Sequence, residues 1–130
     1  MGLYKAGGGG KMTETTLWTN SSPTSNFAAQ TISLSQDIDN YDYLKIAYRL
    51  STSASTELSL IISVQDFKNT ADANGKGVIT LNSKSSNVIY ARLIYYASDT
   101  SVFATVAYKI GSSGNSQLMS IPTKISGLKY

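Results

Sequence analysis

The sequence contains no cysteine and no histidine, and only two prolines and 15% charged residues among its 130 residues. The lack of cysteine excludes a disulfide framework, a thiolate nucleophile, an iron–sulfur cluster and a cysteine-based zinc site. The lack of histidine excludes Ser-His-Asp and Cys-His catalysis and any imidazole metal ligand. The composition therefore favours a binding or structural role.

Glutamate is also rare, because Glu14 and Glu57 are the only two in the chain. A glycoside hydrolase needs two carboxylates that flank one bond. No pair can be nominated by spacing here, since the aspartates fall mostly in predicted turns. We therefore expect a chain without enzymatic activity and without a cofactor.

The charged residues form no cluster in the sequence. The 11 basic residues are scattered along the chain, and the net charge is +3. Binding to nucleic acid requires a clustered basic face, so we expect no nucleic-acid partner. We also expect no membrane insertion, because no stretch approaches the ~20 apolar residues of a membrane span.

The first 12 residues form a separate segment in the sequence. Four consecutive glycines at positions 7–10 disfavour any regular conformation and suggest a flexible tether. Before them, Leu3, Tyr4 and Lys5 form a short peptide that we interpret as an anchor. The sequence thus predicts an N-terminal tether and anchor over 1–12 and one folded domain over 13–130.

From Thr13 onward the dominant hydrophobic period is two residues, which is typical of half-buried β-strands. Apolar residues alternate with polar or smaller ones over 43–50, 57–64 and 102–110. Over 102–110 this pattern predicts that every second residue, from Val102 to Ile110, lies on the same face of the strand. The segment Asn87–Tyr96 is apolar on both faces, so it is either a central strand covered on both sides or a contact with a neighbouring subunit.

Weaker strand patterns complete a set of eight. They span Glu14–Asn20, Phe27–Ser35, Val78–Ser83 and Gln117–Lys129, with Asn-, Gly- and Ser-rich turns between strands, such as Asp72–Gly77. Short helical turns fit around Ser35–Tyr41 or Gln65–Asn69. The fold class is therefore an all-β antiparallel sandwich, with jelly-roll-like connectivity the commonest arrangement of eight such strands.

Two groups of side chains are candidates for binding. Asp37, Asp39 and Asp42 form an oxygen-rich loop that could hold Ca²⁺, but Asp residues also cap turns without any metal, and we favour that structural interpretation. The aromatic candidates could instead stack on sugar rings, although large aromatics more often belong to a core or a subunit interface. These candidates are Trp18, Tyr41, Tyr43, Tyr90 and Tyr96.

Four stretches together carry a resemblance to a known class of domain. They are Glu14–Thr31, Asn40–Ile46, Tyr95–Asp99 and Ile121–Lys129. They resemble the C-terminal or stand-alone β-domains of tail, fibre and other virion proteins from phages and prophages of Gram-positive and gut bacteria. The resemblance covers about residues 13–130 and brings no catalytic motif or functional residue with it.

The resemblance implies a virion surface module that is oligomeric, with a trimer favoured, and that contacts host surface polysaccharide. The leading hypothesis is a receptor-binding or adhesion module that is attached to other virion proteins through the N-terminal peptide. The alternative is a head decoration or head fibre protein that binds capsid subunits. A third hypothesis is a cellular carbohydrate-binding module attached to an enzyme.

Overall fold

The computed structural model describes residues 11–71 and 79–130 as two antiparallel β-sheets packed face to face. The predicted all-β sandwich is confirmed. Its strands are β1 (Thr13–Thr19), β2 (Gln30–Ser33), β3 (Tyr43–Ser51), β4 (Glu57–Ser63), β5 (Ile79–Ser85), β6 (Val88–Ser98), β7 (Ser101–Lys109), β8 (Asn115–Ser116) and β9 (Met119–Lys129). The N-terminal anchor with its glycine tether and the predicted turn Asp72–Gly77 lie outside the described residues.

The strand order is β1-β9-β3-β4 in one sheet and β2-β7-β6-β5 in the other, with the short β8 also paired to β7. Successive strands change sheets at β1 to β2 and at β2 to β3, as jelly-roll-like connectivity predicts. In contrast, β3 and β4 form a hairpin, and β5, β6 and β7 form a meander within one sheet. The connectivity is therefore jelly-roll-like in part.

The core fills the space between the sheets. The period-two pattern of β3 puts Leu44, Ile46 and Tyr48 on the inner face, where each is at most 4% exposed. Burying an apolar side chain of this size stabilises the fold by about 1.5–3 kcal/mol. The Tyr48 hydroxyl donates a hydrogen bond to the Asn82 carbonyl oxygen at 2.9 Å and so links β3 to β5 across the core.

Both predicted helical turns are present. A 3₁₀ turn spans Ile38–Asn40, and the side chain of Asp37 caps it by accepting from the Asp39 amide. The helix α1 spans Val64–Lys68, where Ser63 accepts from the Asp66 amide at 3.0 Å. These caps satisfy backbone donors that a short helix otherwise leaves unpaired.

A β-bulge in β7 makes the predicted single face wrong beyond Ala104. The register with β6 passes from Ile94↔Ala104 to Arg92↔Ala107, so β7 has one extra residue there. A bulge reverses the inward and outward alternation that follows it. As a result Ala107 is fully buried, whereas Tyr108 and Ile110 are 43% and 57% exposed.

Arg92 is the largest fully buried side chain of the described residues. Its Nε donates to the Ser120 carbonyl at 2.7 Å, its Nη1 to the carbonyls of Phe27 and Thr105, and its Nη2 to the Met119 carbonyl at 3.0 Å. The guanidinium thereby joins the bulge of β7 to the start of β9 in the opposite sheet. Burial lowers the pKa of Arg92 to about 10, and this side chain is still cationic at neutral pH.

The two ends of the sandwich differ in what they carry. At one, which we call the terminal end, β1 begins and β9 ends, because Thr13 is paired with Lys129. The helix α1 and the β6–β7 turn lie there too, since the Val64 amide donates to Asp42 and the Ile38 amide donates to Asp99. The opposite, distal end carries the connections at 20–29, 52–56, 86–87 and 110–118.

Candidate functional site

Three of the five aromatic candidates lie at the terminal end. The Tyr41 ring lies over Gly127, and its hydroxyl donates to Gln36 Oε1 at 2.6 Å. The Tyr43 ring makes an edge contact with Tyr130 at a centroid distance of 6.1 Å. Both rings are half-buried, so each is already in contact with protein over part of its surface.

Tyr96, the third of these, is also committed to contacts within the chain. Its ring meets the edge of Phe67 at 6.1 Å, and its hydroxyl donates to Asp99 Oδ1 at 2.6 Å. The hydrogen bond to Asp99, together with burial, raises the pKa of Tyr96. The same hydrogen bond and the nearby ammonium of Lys68 lower the pKa of Asp99.

The other two aromatic candidates lie toward the distal end. Trp18 packs against the core and meets Phe27 edge-on at 6.1 Å. Tyr90 lies opposite Ser83 on one side and Lys109 on the other. The fold therefore divides the five rings between two ends and does not bring them together in one stacking platform.

The predicted acidic loop separates into two parts. Carboxylate oxygens of Asp37, Asp39 and Asp99 lie within 4.8 Å of one another. Lys68 forms ion pairs with Asp39 and with Asp99, the latter at 3.3 Å, and these contacts raise the pKa of Lys68.

Asp42 points elsewhere and accepts from the Tyr130 amide at 2.9 Å. Asp37 caps the 3₁₀ turn, as the structural interpretation of this loop predicts. Asp39 and Asp99 both contact the Lys68 ammonium, so every carboxylate of this group has a partner within the protein.

A groove that the sequence did not indicate lies at the distal end, on the outer side of the β1-β9-β3-β4 sheet. Its volume is about 270 Å³. Strands β3, β4 and β9 form its floor, and the loop after β1 forms one wall. The lining residues are Thr19, Asn20, Pro23, Arg49, Glu57, Thr123 and Lys124.

Hydrogen bonds to Pro122 and Thr123 of β9 hold the wall in place. The Asn20 side chain donates to the Pro122 carbonyl at 2.9 Å, and the Asn20 amide donates to the Thr123 carbonyl at 2.8 Å. On the floor, the Thr123 hydroxyl donates to Glu57 Oε2 at 2.6 Å. The groove is therefore built from three segments that are distant in sequence.

Arg49 differs from the other charged residues of the groove. It lies directly opposite Glu57 in the β3–β4 register. Nevertheless, no carboxylate of residues 11–71 and 79–130 lies within ion-pair distance of it, and its Nε is buried without a hydrogen-bond partner in that part of the chain. The groove thus contains one guanidinium with hydrogen-bonding capacity to spare.

A second distal cleft, of about 340 Å³, lies between the β3–β4 loop and the start of β9. Apart from Lys84, its lining is made of small polar and apolar residues. They are Leu50, Ser51, Thr52, Ser53, Ala54, Ser85, Leu118 and Met119. It offers fewer charged groups for recognition than the groove.

The strand predicted to be apolar on both faces is β6, which lies between β5 and β7. Its inner face is covered by the opposite sheet, and no described element covers its outer face. On that outer face Tyr95 contacts Phe103 at a ring-centroid distance of 5.4 Å, and Ile89 and Ile110 are 48% and 57% exposed. Within the described residues, this outer face is therefore free to make the contact with a neighbouring subunit that the sequence pattern allows as one of two alternatives.

No helix in the described residues has the length and apolar character needed to cross a bilayer. Comparison with known proteins finds no family model and no curated protein that matches this chain.

Proposed function

We propose that this chain is a non-catalytic attachment module on the surface of a phage virion, where it binds host cell-surface glycans through its distal groove. The observation that carries the proposal is the position of the groove. It lies at the end of the sandwich opposite to the start of β1 and the end of β9. A domain held at its terminal end would therefore present the groove to whatever it approaches.

The chemistry of the groove suits a sugar. Arg49 and Lys124 are donors, Glu57 is an acceptor, and Asn20, Thr19 and Thr123 add amide and hydroxyl groups. Sites for drug-sized ligands have volumes of about 300–1,000 Å³. A groove of about 270 Å³ has room for roughly one sugar ring.

The proposed route of attachment runs through the N-terminal segment. In this proposal, Leu3, Tyr4 and Lys5 bind another virion protein, and the glycines at 7–10 let the domain swing outward. Deleting residues 1–12 should then leave a folded domain that no longer enters particles. Normal incorporation of the truncated protein would reject this route.

The outer face of β6 and β7 supports the further proposal that several copies associate, with a trimer favoured. Affinity for one sugar unit at a small groove is weak, and several linked grooves would raise it through avidity. The apolar residues of this face supply an area whose burial between copies is favourable. They include Ile89, Leu93, Tyr95, Phe103, Tyr108 and Ile110.

The same face keeps the alternative function open, because it would also suit the surface of a capsid protein. In that case the chain is a head decoration or head fibre protein. Electron density that places the domain on the capsid, together with binding to capsids and to no glycan, would favour this alternative over adhesion.

The test of the adhesion proposal is a glycan array of host cell-wall polysaccharides probed with the full chain. We expect Glu57→Ala to abolish binding, because it removes the acceptor on the groove floor. The control Asp37→Ala changes a carboxylate at the terminal end and should bind as the wild type does. Loss of binding in Tyr41→Ala or Tyr96→Ala but not in Glu57→Ala would reject the groove, and no binding to any glycan would reject adhesion.

A further inference from the structure

We infer that the groove selects an anionic sugar, whose carboxylate or phosphate oxygens contact Arg49 while a neighbouring hydroxyl contacts Glu57. This inference rests on the proposed function and specifies its ligand class. It follows from three features of the groove: the free donor of Arg49, the partner already held by Glu57, and the balance of charge around both.

The first feature is the buried Nε of Arg49, which has no hydrogen-bond partner in the described residues. A buried donor without an acceptor carries the cost of its lost hydration. A rotation of the Arg49 side chain toward the groove would let a ligand oxygen accept from Nε and remove that cost. Guanidinium groups bind carboxylates and phosphates through two parallel N–H donors, so an oxyanion matches Arg49 better than a single hydroxyl does.

The second feature explains why Glu57 does not fill this role. Its Oε2 accepts the Thr123 hydroxyl at 2.6 Å, which fixes the carboxylate against β9. No ion pair with Arg49 forms, although the two residues are cross-strand neighbours. The other oxygen of Glu57 remains an acceptor for a hydroxyl donor, and a sugar acid or sugar phosphate provides such a hydroxyl beside its anionic group.

The third feature is an excess of positive charge on this side of the sheet. Glu14 is shared between Lys45 at 3.5 Å and Lys124 at 3.6 Å. The neighbouring Ser126 hydroxyl and the charges of these two lysines lower the pKa of Glu14, so Glu14 is ionised at neutral pH. Three cations, counting Arg49, thus stand beside two carboxylates, and the local charge is +1 before a ligand binds.

The experiment is a titration of the full chain with three soluble oligosaccharides of matched length. One carries glucuronate, one carries phosphate diesters, and one is neutral. We expect at least one anionic ligand to bind about tenfold more tightly than the neutral one at low salt, with the preference shrinking as salt screens the charges. The two anionic arms distinguish carboxylate from phosphate as the source of the oxyanion.

Variants assign the preference to the groove. Arg49→Met should abolish the preference, because anionic binding falls about tenfold more than neutral binding does. Lys129→Met removes one positive charge at the terminal end and should leave both affinities as in the wild type. If Arg49→Met does not fold, Arg49→Lys keeps the charge without the planar fork and should lose part of the preference.

The outcomes separate the inference from the proposed function. Equal binding of neutral and anionic ligands, with Glu57→Ala still abolishing it, would overturn the inference and leave adhesion standing. A preference that both Arg49 variants retain would also overturn it. No binding to any of the three ligands, nor to the glycan array, would remove both.

Discussion

Replacing Arg92 with methionine tests the most unusual feature of the core. Methionine fills a similar elongated volume but has no donors. The substitution therefore leaves four buried carbonyl groups, those of Phe27, Thr105, Met119 and Ser120, without the guanidinium. It also removes the cation that lies 5.2 Å from the centre of the Phe27 ring.

Two opposing effects set the magnitude. Each carbonyl that loses its charged donor costs about 1–3 kcal/mol when it stays dry. Against this, the lowering of the Arg92 pKa to about 10 corresponds to a charge-burial penalty of about 3 kcal/mol, which methionine does not carry. Four such costs less this penalty give a net loss of about 1–9 kcal/mol. We expect about 3–5 kcal/mol, the range seen when buried ionic contacts are broken.

Urea denaturation followed by circular dichroism and by the fluorescence of Trp18, the only tryptophan, measures this loss. We expect a lower midpoint with an unchanged slope, since the same surface is exposed on unfolding. Lys84→Met makes the same kind of substitution at an exposed position of β5 and should change stability by less than about 0.5 kcal/mol. Arg92→Lys should also destabilise, because one ammonium cannot reach carbonyls on both sheets.

The reasoning is refuted if Arg92→Met is as stable as the wild type or more stable. Buried ion pairs in other proteins have been replaced by apolar residues with that result. In that case the free-energy cost of burying the guanidinium would equal or exceed the stabilisation from its hydrogen bonds. The link between the bulge of β7 and the start of β9 would then not contribute to stability.

Three further predictions concern other parts of the molecule. Gly127→Ala should destabilise the protein by about 1–3 kcal/mol, because a Cβ at this position would overlap the Tyr41 ring. A comparison of urea midpoints should show that most of this cost disappears when Tyr41 is also replaced by alanine. The pKa of Asp99 is lowered below its usual 3.8, so the ionised carboxylate stabilises the folded state above that pH, and this contribution is lost as the pH falls through the lowered pKa. Urea midpoints measured from about pH 6 to 2 should therefore decrease less steeply with falling pH in Asp99→Asn than in the wild type. Light scattering at micromolar concentration should show an oligomer for the wild type and a monomer for the double variant Ile89→Lys with Ile110→Lys. The control Leu58→Lys, on the opposite sheet, should remain an oligomer. A monomeric wild type would contradict the proposed association.

The sequence predicts those parts of the fold that depend on local pattern. Alternation in β3 identifies Leu44, Ile46 and Tyr48 as core residues, and Asp37 and Ser63 mark the short helical turns. The bulge of β7 was missed because neither Thr105 nor Val106 is a glycine or proline that would mark it. The bulge is held instead by Arg92, and by Thr105, whose hydroxyl accepts from the Leu93 amide at 3.0 Å.

The groove was missed for a different reason. Alternation places Arg49 on the outward face of β3, but it cannot bring Glu57, Thr123 and the loop at Asn20 to the same point. That requires the β3–β4 register and the insertion of β9 between β1 and β3, which are non-local pairings. Arg92 illustrates the same limit, because a cationic residue in a strand is ordinarily exposed unless distant carbonyls surround it.

The position of β9 has a consequence for biosynthesis. The last of the described strands, β9, is a central strand, and within the described residues β1 pairs only with it. A nascent polypeptide that has emerged as far as β7 can already form the β5-β6-β7 meander, yet β1 has no neighbour until β9 has been synthesised. Completion of this sheet thus waits for the synthesis of β9, and chains that terminate before β9 expose an unpaired edge that chaperones or proteases can recognise.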